Sequence, residues 1–263
     1  MQIVVAIKQV PDTSEIRIDP KTGNLIREGV ESIINPDDRH AIEAALQIRE
    51  KLGGRVIGIS MGPPQAIDAI SEALALGIDK GVLLVDKYFA GADTWATSFT
   101  LGRAVEKIGN WDLIICGHQA IDGDTAQVGP QLAEYLNIPQ VTYVMDIEET
   151  TDKKIVVKRM AGNAYERIEC PLPALITVMR ELNEPRFPRF DWLVNACQEK
   201  APIEIWNAAD LGVKAEQVGL QGSLTNVINT FSPKTERRGK ILEGTAEQIV
   251  EDLVKILKEN RLA

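Results

Sequence analysis

A chain of 263 residues with 44% hydrophobic and 25% charged side chains is long enough to bury a substantial core. Its net charge of -9 and pI near 4.9 argue against a general nucleic-acid or anionic-membrane surface. No apolar run approaches the roughly 20 residues that span a bilayer, Met1 leads straight into QIVVAI without a basic leader, and Cys116, Cys170 and Cys197 are isolated, so a reduced, cytoplasmic setting is expected.

Residues 2 to 7 read as a first strand, broken by Val10-Pro11-Asp12-Thr13. EIRID and NLIRE alternate around Pro20-Lys21-Thr22-Gly23, a hairpin pattern. Asn35-Pro36-Asp37-Asp38 predicts the start of an amphipathic helix, with Asn35 as N-cap, Pro36 at its first position and both aspartates at its positive end. His40 falls on the polar side of that helix, where solvation is expected. RVIGIS is a second strand, and Met61-Gly62-Pro63-Pro64 turns into the helix AIDAISEALALG. GVLLV is a third strand, followed by the loop Phe89-Ala90-Gly91-Ala92-Asp93-Thr94 and the helix WATSFTLGRAVEKIG. Asp93 fits equally a helix cap or a ligand contact.

The apolar run DLIIC then leads into GHQAIDGDTAQVGP, residues 117 to 130. Such a loop leaves the carboxyl end of a strand and enters a helix, the place where open α/β sheets bind ligands. Pro130 is tolerated within a first helical turn, which predicts a helix start near Ala126 or Gln127. Free N–H groups there, beside Thr125, suit an anion such as a pyrophosphate. An ordinary polar connection remains the alternative. The repeated alternation of strand and helix predicts a mostly parallel, open, Rossmann-like α/β sheet with helices on both faces.

Residues 141 to 145, 154 to 159, 165 to 169 and 174 to 179 read as short strands of more antiparallel character. From Asn183 the period is lost in NEPRFPRFDWLVNACQEK, which reads either as a surface loop with packed aromatics or as an interface. Residues 201 to 242 are weakly periodic and are expected to run over a surface. Thr245-Ala246-Glu247-Gln248 has capping-box form and opens an amphipathic helix. The expected organisation is an α/β nucleotide-binding domain over residues 1–182 and a C-terminal extended arm with its helix over 183–263.

There is no GxGxxG after a strand, no GxxxxGK[ST] and no GxSxG, and two histidines without metal spacing make a zinc site implausible. These residues point to nucleotide binding without an acid, base or nucleophile.

Six stretches, VAIKQVPDT at 5 to 13, INPDD at 34 to 38, SMGPPQA at 60 to 66, FAGADT at 89 to 94, residues 117 to 130 and LNEPRF at 182 to 187, together resemble the beta subunit of electron transfer flavoproteins. The family's signature pattern is found as Val157, Arg159, Glu166, Ile168, Pro173, Leu175, Ile176 and Thr177, with Gly162 and Asn163 replacing the acidic residues usual between Arg159 and Glu166. The resemblance implies a heterodimer whose alpha subunit carries FAD, while the beta subunit holds AMP or a second FAD. FAGADTWATS and IDGDTAQVGP look like the FAD-holding, electron-bifurcating type. That type implies electron exchange with NADH or NAD, with ferredoxin or flavodoxin, and with a partner flavin-dependent dehydrogenase for an acyl-CoA or lactate. The non-bifurcating, AMP-holding subunit is the alternative.

Carried over by the resemblance, the nucleotide site comprises Ala6, Asn35, Asp38, Met61, Gly62, Gly91, Ala92, Asp93, Thr94, Thr97, Gly117, Gln119, Ile121, Asp122, Gly123, Asp124, Thr125, Ala126, Gln127 and Val128. His118 stands where bifurcating relatives usually have arginine. The partner-recognition loop falls at Phe187, Arg189, Phe190 and Trp192. Asp93, Asp122 and Asp124 would repel phosphate and are expected to orient the loops instead.

Overall fold

The computed structural model describes residues 1–12, 17–18, 25–26, 31–198, 200–228, 239 and 241–262. In chain order the first elements are β1 Gln2–Ala6, β2 Gln9–Pro11, β3 Arg17–Ile18, β4 Leu25–Ile26, β5 Ser32–Ile34, α1 Pro36–Leu52, β6 Arg55–Met61, α2 Ile67–Leu76 and β7 Lys80–Leu84. Then come α3 Thr94–Ile108, β8 Leu113–Gly117, α4 Val128–Leu136, β9 Gln140–Thr150, β10 Lys154–Ala161, β11 Ala164–Pro171 and β12 Ala174–Val178. The last are α5 Phe190–Ala196, β13 Ile203–Trp206, α6 Gly219–Gly222 and α7 Ala246–Glu259.

Nine strands form one sheet in the order β11-β10-β9-β12-β8-β1-β6-β7-β13. Every neighbouring pair from β9 to β13 is parallel, and β10 and β11 extend one edge in antiparallel fashion. The expected mostly parallel sheet is therefore present, with helices on both faces. Period-two alternation assigns the faces. Ile3, Val5, Leu113, Ile115 and Ile176 bury against α1 and α2, while Val4, Ile114, Cys116 and Leu175 bury against α3 and α4. Each such aliphatic side chain contributes about 1.5–3 kcal/mol by leaving water.

The chain runs from β1 outward through β6 to β7, then crosses by α3 to β8 on the other side of β1. Strand order thus reverses between β1 and β8, and at such a point the connecting loops part to opposite faces and leave a crevice.

Of the four strands expected after residue 140, β12 returns parallel between β8 and β9, whereas β9, β10 and β11 form the antiparallel part. Within it Arg159 stands opposite Glu166 and pairs with it at 3.4 Å. The hairpin is present as Ile18 opposite Leu25, and its turn at 20–23 lies outside the described residues.

The chain divides into units Met1–Ile228 and Asn229–Ala263. Much of the segment assigned by sequence to an arm therefore belongs with the sheet. Ile203–Trp206 pairs in parallel with β7 as an edge strand, and Ala208, Leu211, Val213 and Val218 are buried in the α3 and α4 face. A four-residue edge strand buries too little to show a period, which is why the sequence reads as surface there. In the second unit, Thr245 and Gln248 make the reciprocal capping box at the start of α7, whose Val250, Leu253 and Val254 are exposed. Among the described residues no helix is long and apolar enough to cross a membrane.

Candidate functional site

Ala6, Met61 and Gly117 end β1, β6 and β8 at the same edge of the sheet, and α1 begins beside them. Asn35 occupies the N-cap position, but its side chain does not cap the helix. Its Nδ2 donates to Asp38 Oδ1 at 3.0 Å and to the Gln119 carbonyl at 2.8 Å, and its Oδ1 accepts from the Ile121 N–H at 3.1 Å. The expected cap is thus a tie between α1 and the loop after β8. Asp37 and Asp38 are likewise no ordinary first-turn acids, being only 1% and 7% exposed.

Asp38 accepts from the Lys8 N–H at 2.8 Å, and burial pushes its carboxyl up to about 7 while the bonds from Asn35 and Lys8 pull it back. Asp37 lies 2.6 Å from both His118 Nδ1 and Arg180 Nε. Gly117 makes this packing possible, because a Cβ there would lie 2.3 Å from Asp38 Oδ1. Its missing side chain therefore admits α1. Cys116 behaves as a small buried hydrophobe, its thiol pushed up to about 12 by burial and then by Asp38. His40 is half-buried rather than solvated, with Nδ1 2.9 Å from the Asn183 carbonyl and the Asn183 Nδ2 donating to the His40 carbonyl.

The loops after β7 and β8 meet at the starts of α3 and α4. Asp93 caps α3 by accepting from the Ala96 N–H at 2.9 Å, and its other oxygen accepts from the Leu224 N–H and from the Thr225 N–H and hydroxyl. Burial would raise this carboxyl, but the bonds from Ala96, Thr225 and Leu224 outweigh it and hold the group below its ordinary range. Gly91 has φ +72°, the left-handed turn that leads into Ala92 and Asp93, and Thr97 donates its N–H to the Asp93 carbonyl.

Helix α4 begins at Val128, just after the predicted start, with Gln127 at the N-cap and no side-chain cap. Asp124 and Ala126 both have φ +53°, a conformation that costs a non-glycine residue about 1–2 kcal/mol and concentrates at functional loops. The Thr94 hydroxyl donates to Gln127 Oε1 at 3.1 Å, and the Ser98 hydroxyl donates to the carbonyls of Thr94 and Val128. Two helix N-termini are therefore locked side by side. That of α3 spends part of its donor capacity on Asp93, whereas that of α4 has no side-chain cap, with Gly129 buried and Pro130 lacking an N–H.

The remaining expected residues fall around this edge. Asp122 pairs with Lys8 Nζ at 2.6 Å across the β1 and β8 loops, Gly123 faces open space, and Thr125 and Gln127 are exposed. Gly62 donates its N–H to the Leu84 carbonyl, holding the β6 turn to β7. Asp37, Asp38, Asp93 and Asp122 are thus each paired, hydrogen-bonded or shifted toward the neutral form, which lowers the repulsion an anion would meet. Sequence reasoning missed Lys8, Asp37, Ser98 and Arg180, because their partners lie 30 to 143 residues away and no local spacing marks them.

The aromatic segment divides in two. Phe187 and Phe190 are 90% and 81% exposed. Trp192 is half-buried against Gly77 at the end of α2, with the Arg189 guanidinium stacked 4.5 Å over its ring and also paired with Asp191. Gly77 leaves a slot that the indole fills, so Trp192 anchors α5 while the two phenylalanines project. Arg186 fixes the base of this segment to α1, through Glu43 at 2.7 Å and Glu50 at 2.7 Å.

Fold and crevice together define an open, doubly wound α/β protein whose loops converge where the strand order reverses. Residues 22–211 match the electron transfer flavoprotein domain, and the chain belongs to the electron transfer flavoprotein family. It is 53% identical over the whole of both chains to the electron transfer flavoprotein subunit beta of Thermoanaerobacterium thermosaccharolyticum. It is 49% identical, again over the whole of both, to the caffeyl-CoA reductase-Etf complex subunit CarD of Acetobacterium woodii. The acryloyl-CoA reductase electron transfer subunit gamma of Anaerotignum propionicum is 42% identical over the full length of both.

Proposed function

We propose that this chain is the FAD-holding beta subunit of a heterodimeric, electron-bifurcating electron transfer flavoprotein of the cytoplasm. It exchanges electrons with NADH or NAD, with ferredoxin or flavodoxin, and with a partner flavin-dependent dehydrogenase. The observation that carries the reading is the pair of helix starts joined by Thr94 and Gln127 at the edge where strand order reverses. Backbone donors at the start of α4, with the Thr125 hydroxyl and the Thr94 hydroxyl once it turns from Gln127, suit a diphosphate without any lysine at the helix starts themselves.

The chain's own residues bind and orient. Asn35 holds the Gln119 and Ile121 backbone, Lys8 neutralises Asp122, and Asp37 fixes the His118 ring at the mouth of the crevice. Bound there, FAD supplies the redox chemistry, which hydrogen bonds and charge from these residues tune. Phe187 and Phe190 are the side chains we assign to the partner dehydrogenase, and Trp192 with Arg189 sets their position. Two relatives named for CoA-ester reductases favour an acyl-CoA over a lactate partner.

The test is the identity and amount of nucleotide released from the purified heterodimer. Two FAD per heterodimer are expected. One FAD and one AMP would replace the bifurcating reading by the structural-nucleotide one, and the absence of any adenine nucleotide from the beta subunit would overturn the site itself.

A further inference from the structure

Asp93 serves two structures with one carboxylate. Its Oδ1 accepts from Ala96 at the start of α3, and its Oδ2 accepts three bonds at 2.8 to 2.9 Å from Leu224 and Thr225. Its own N–H donates to the Ser223 hydroxyl at 2.8 Å, and three residues earlier the Ala90 carbonyl accepts from the Leu220 N–H at 3.0 Å. Residues 219–228 are the last of the sheet unit. They hold few apolar anchors, since Leu220, Leu224, Val227 and Ile228 are all exposed, Ile228 at 96%. Hydrogen bonds to the loop at 90–93 therefore supply much of what fixes this segment. A segment held in that way has low local stability and follows the conformation of the loop that holds it.

We propose that Asp93 is a positioning residue that couples nucleotide binding at the start of α3 to the ordering of residues 219–228, from which the chain leaves the sheet unit. The inference rests on the nucleotide reading of the site given above. A ligand that fixes the 91–94 loop strengthens every bond from that loop to 223–225. By linkage, holding 223–225 in place must tighten the ligand by the same factor. The exposed apolar side chains of the segment are then held in this arrangement more firmly when the nucleotide is in place.

Amide hydrogen exchange in the heterodimer, depleted of the beta-site nucleotide and then titrated with FAD, tests the coupling. FAD is expected to slow exchange at Leu224 and Thr225 by about tenfold or more, within the usual range of such couplings. In Asp93→Asn that protection is expected to vanish. Because Asp93→Asn also weakens the α3 cap, Ser223→Ala with Thr225→Val provides the second arm. It removes two hydroxyl bonds from the segment side, leaves the cap intact, and is expected to weaken FAD several-fold although neither side chain is assigned to the nucleotide. Bound FAD with unchanged exchange, or unchanged FAD affinity in the double variant, would overturn the coupling and leave the site reading standing. Failure of the wild type to bind FAD would overturn both.

Discussion

Asp38→Asn isolates the buried acid beneath the crevice. Asp38 is 7% exposed, accepts from Lys8 and Asn35, and has its carboxyl raised from 3.8 to about 7. The unfolded chain has therefore lost this proton by about pH 5, while the folded chain keeps it until about pH 7. Between those values the folded state binds more protons, so stability falls as pH rises. The whole rise corresponds to roughly 4 kcal/mol, of which about 2–3 kcal/mol falls between pH 5 and pH 8. Asparagine is of similar shape and does not titrate. Its amide sets a donor against a donor, a cost of about 1–3 kcal/mol that is nearly independent of pH. Urea unfolding of the nucleotide-free chain at pH 5, 6, 7 and 8, followed by tryptophan fluorescence, measures the difference. Wild type should lose about 2–3 kcal/mol more than the variant over that range, which cancels the groups the two proteins share. Parallel stability curves would mean that Asp38 ionises normally, and the buried-acid reasoning would fail.

Thr94→Val with Thr125→Val removes two hydroxyls at nearly constant shape, and FAD affinity in the heterodimer should fall roughly tenfold or more by equilibrium titration. Unchanged affinity would remove both hydroxyls from the site. Phe187→Ala with Phe190→Ala should lower kcat/KM for the partner dehydrogenase at least tenfold and leave reduction by NADH intact; a loss of both rates would make these side chains part of the fold. Trp192→Ala, by contrast, should appear first as lost stability, about 2 kcal/mol or more in thermal unfolding, because it empties the slot over Gly77. Gly117→Ala should cost about 1–3 kcal/mol by the same measurement, since its Cβ would lie 2.3 Å from Asp38 Oδ1. A neutral result there would show that α1 shifts freely over β8.

Local patterns in the sequence determined most of the strands and most helix starts, and with them the sheet edge at which the candidate loops meet. A strand buried on both faces is a short apolar run, as in LIIC of β8, and a capping box is a contact three residues apart, as between Thr245 and Gln248. Because turn residues follow an apolar run and precede a helical period, residues 117 to 130 were legible as the connection from β8 to α4. The tertiary structure decided where polar side chains spend their hydrogen bonds. Asn35 has the form of a cap, yet it bonds Gln119 and Ile121, 84 and 86 residues away. Asp93 keeps its local cap and adds Leu224 and Thr225, 131 and 132 residues away, while Lys8 finds Asp122 across 114. A carboxylate or amide gains about the same 1 kcal/mol or so from a near donor as from a distant one. Only the crossovers of the sheet, which return those loops to one edge, bring the distant donors within reach.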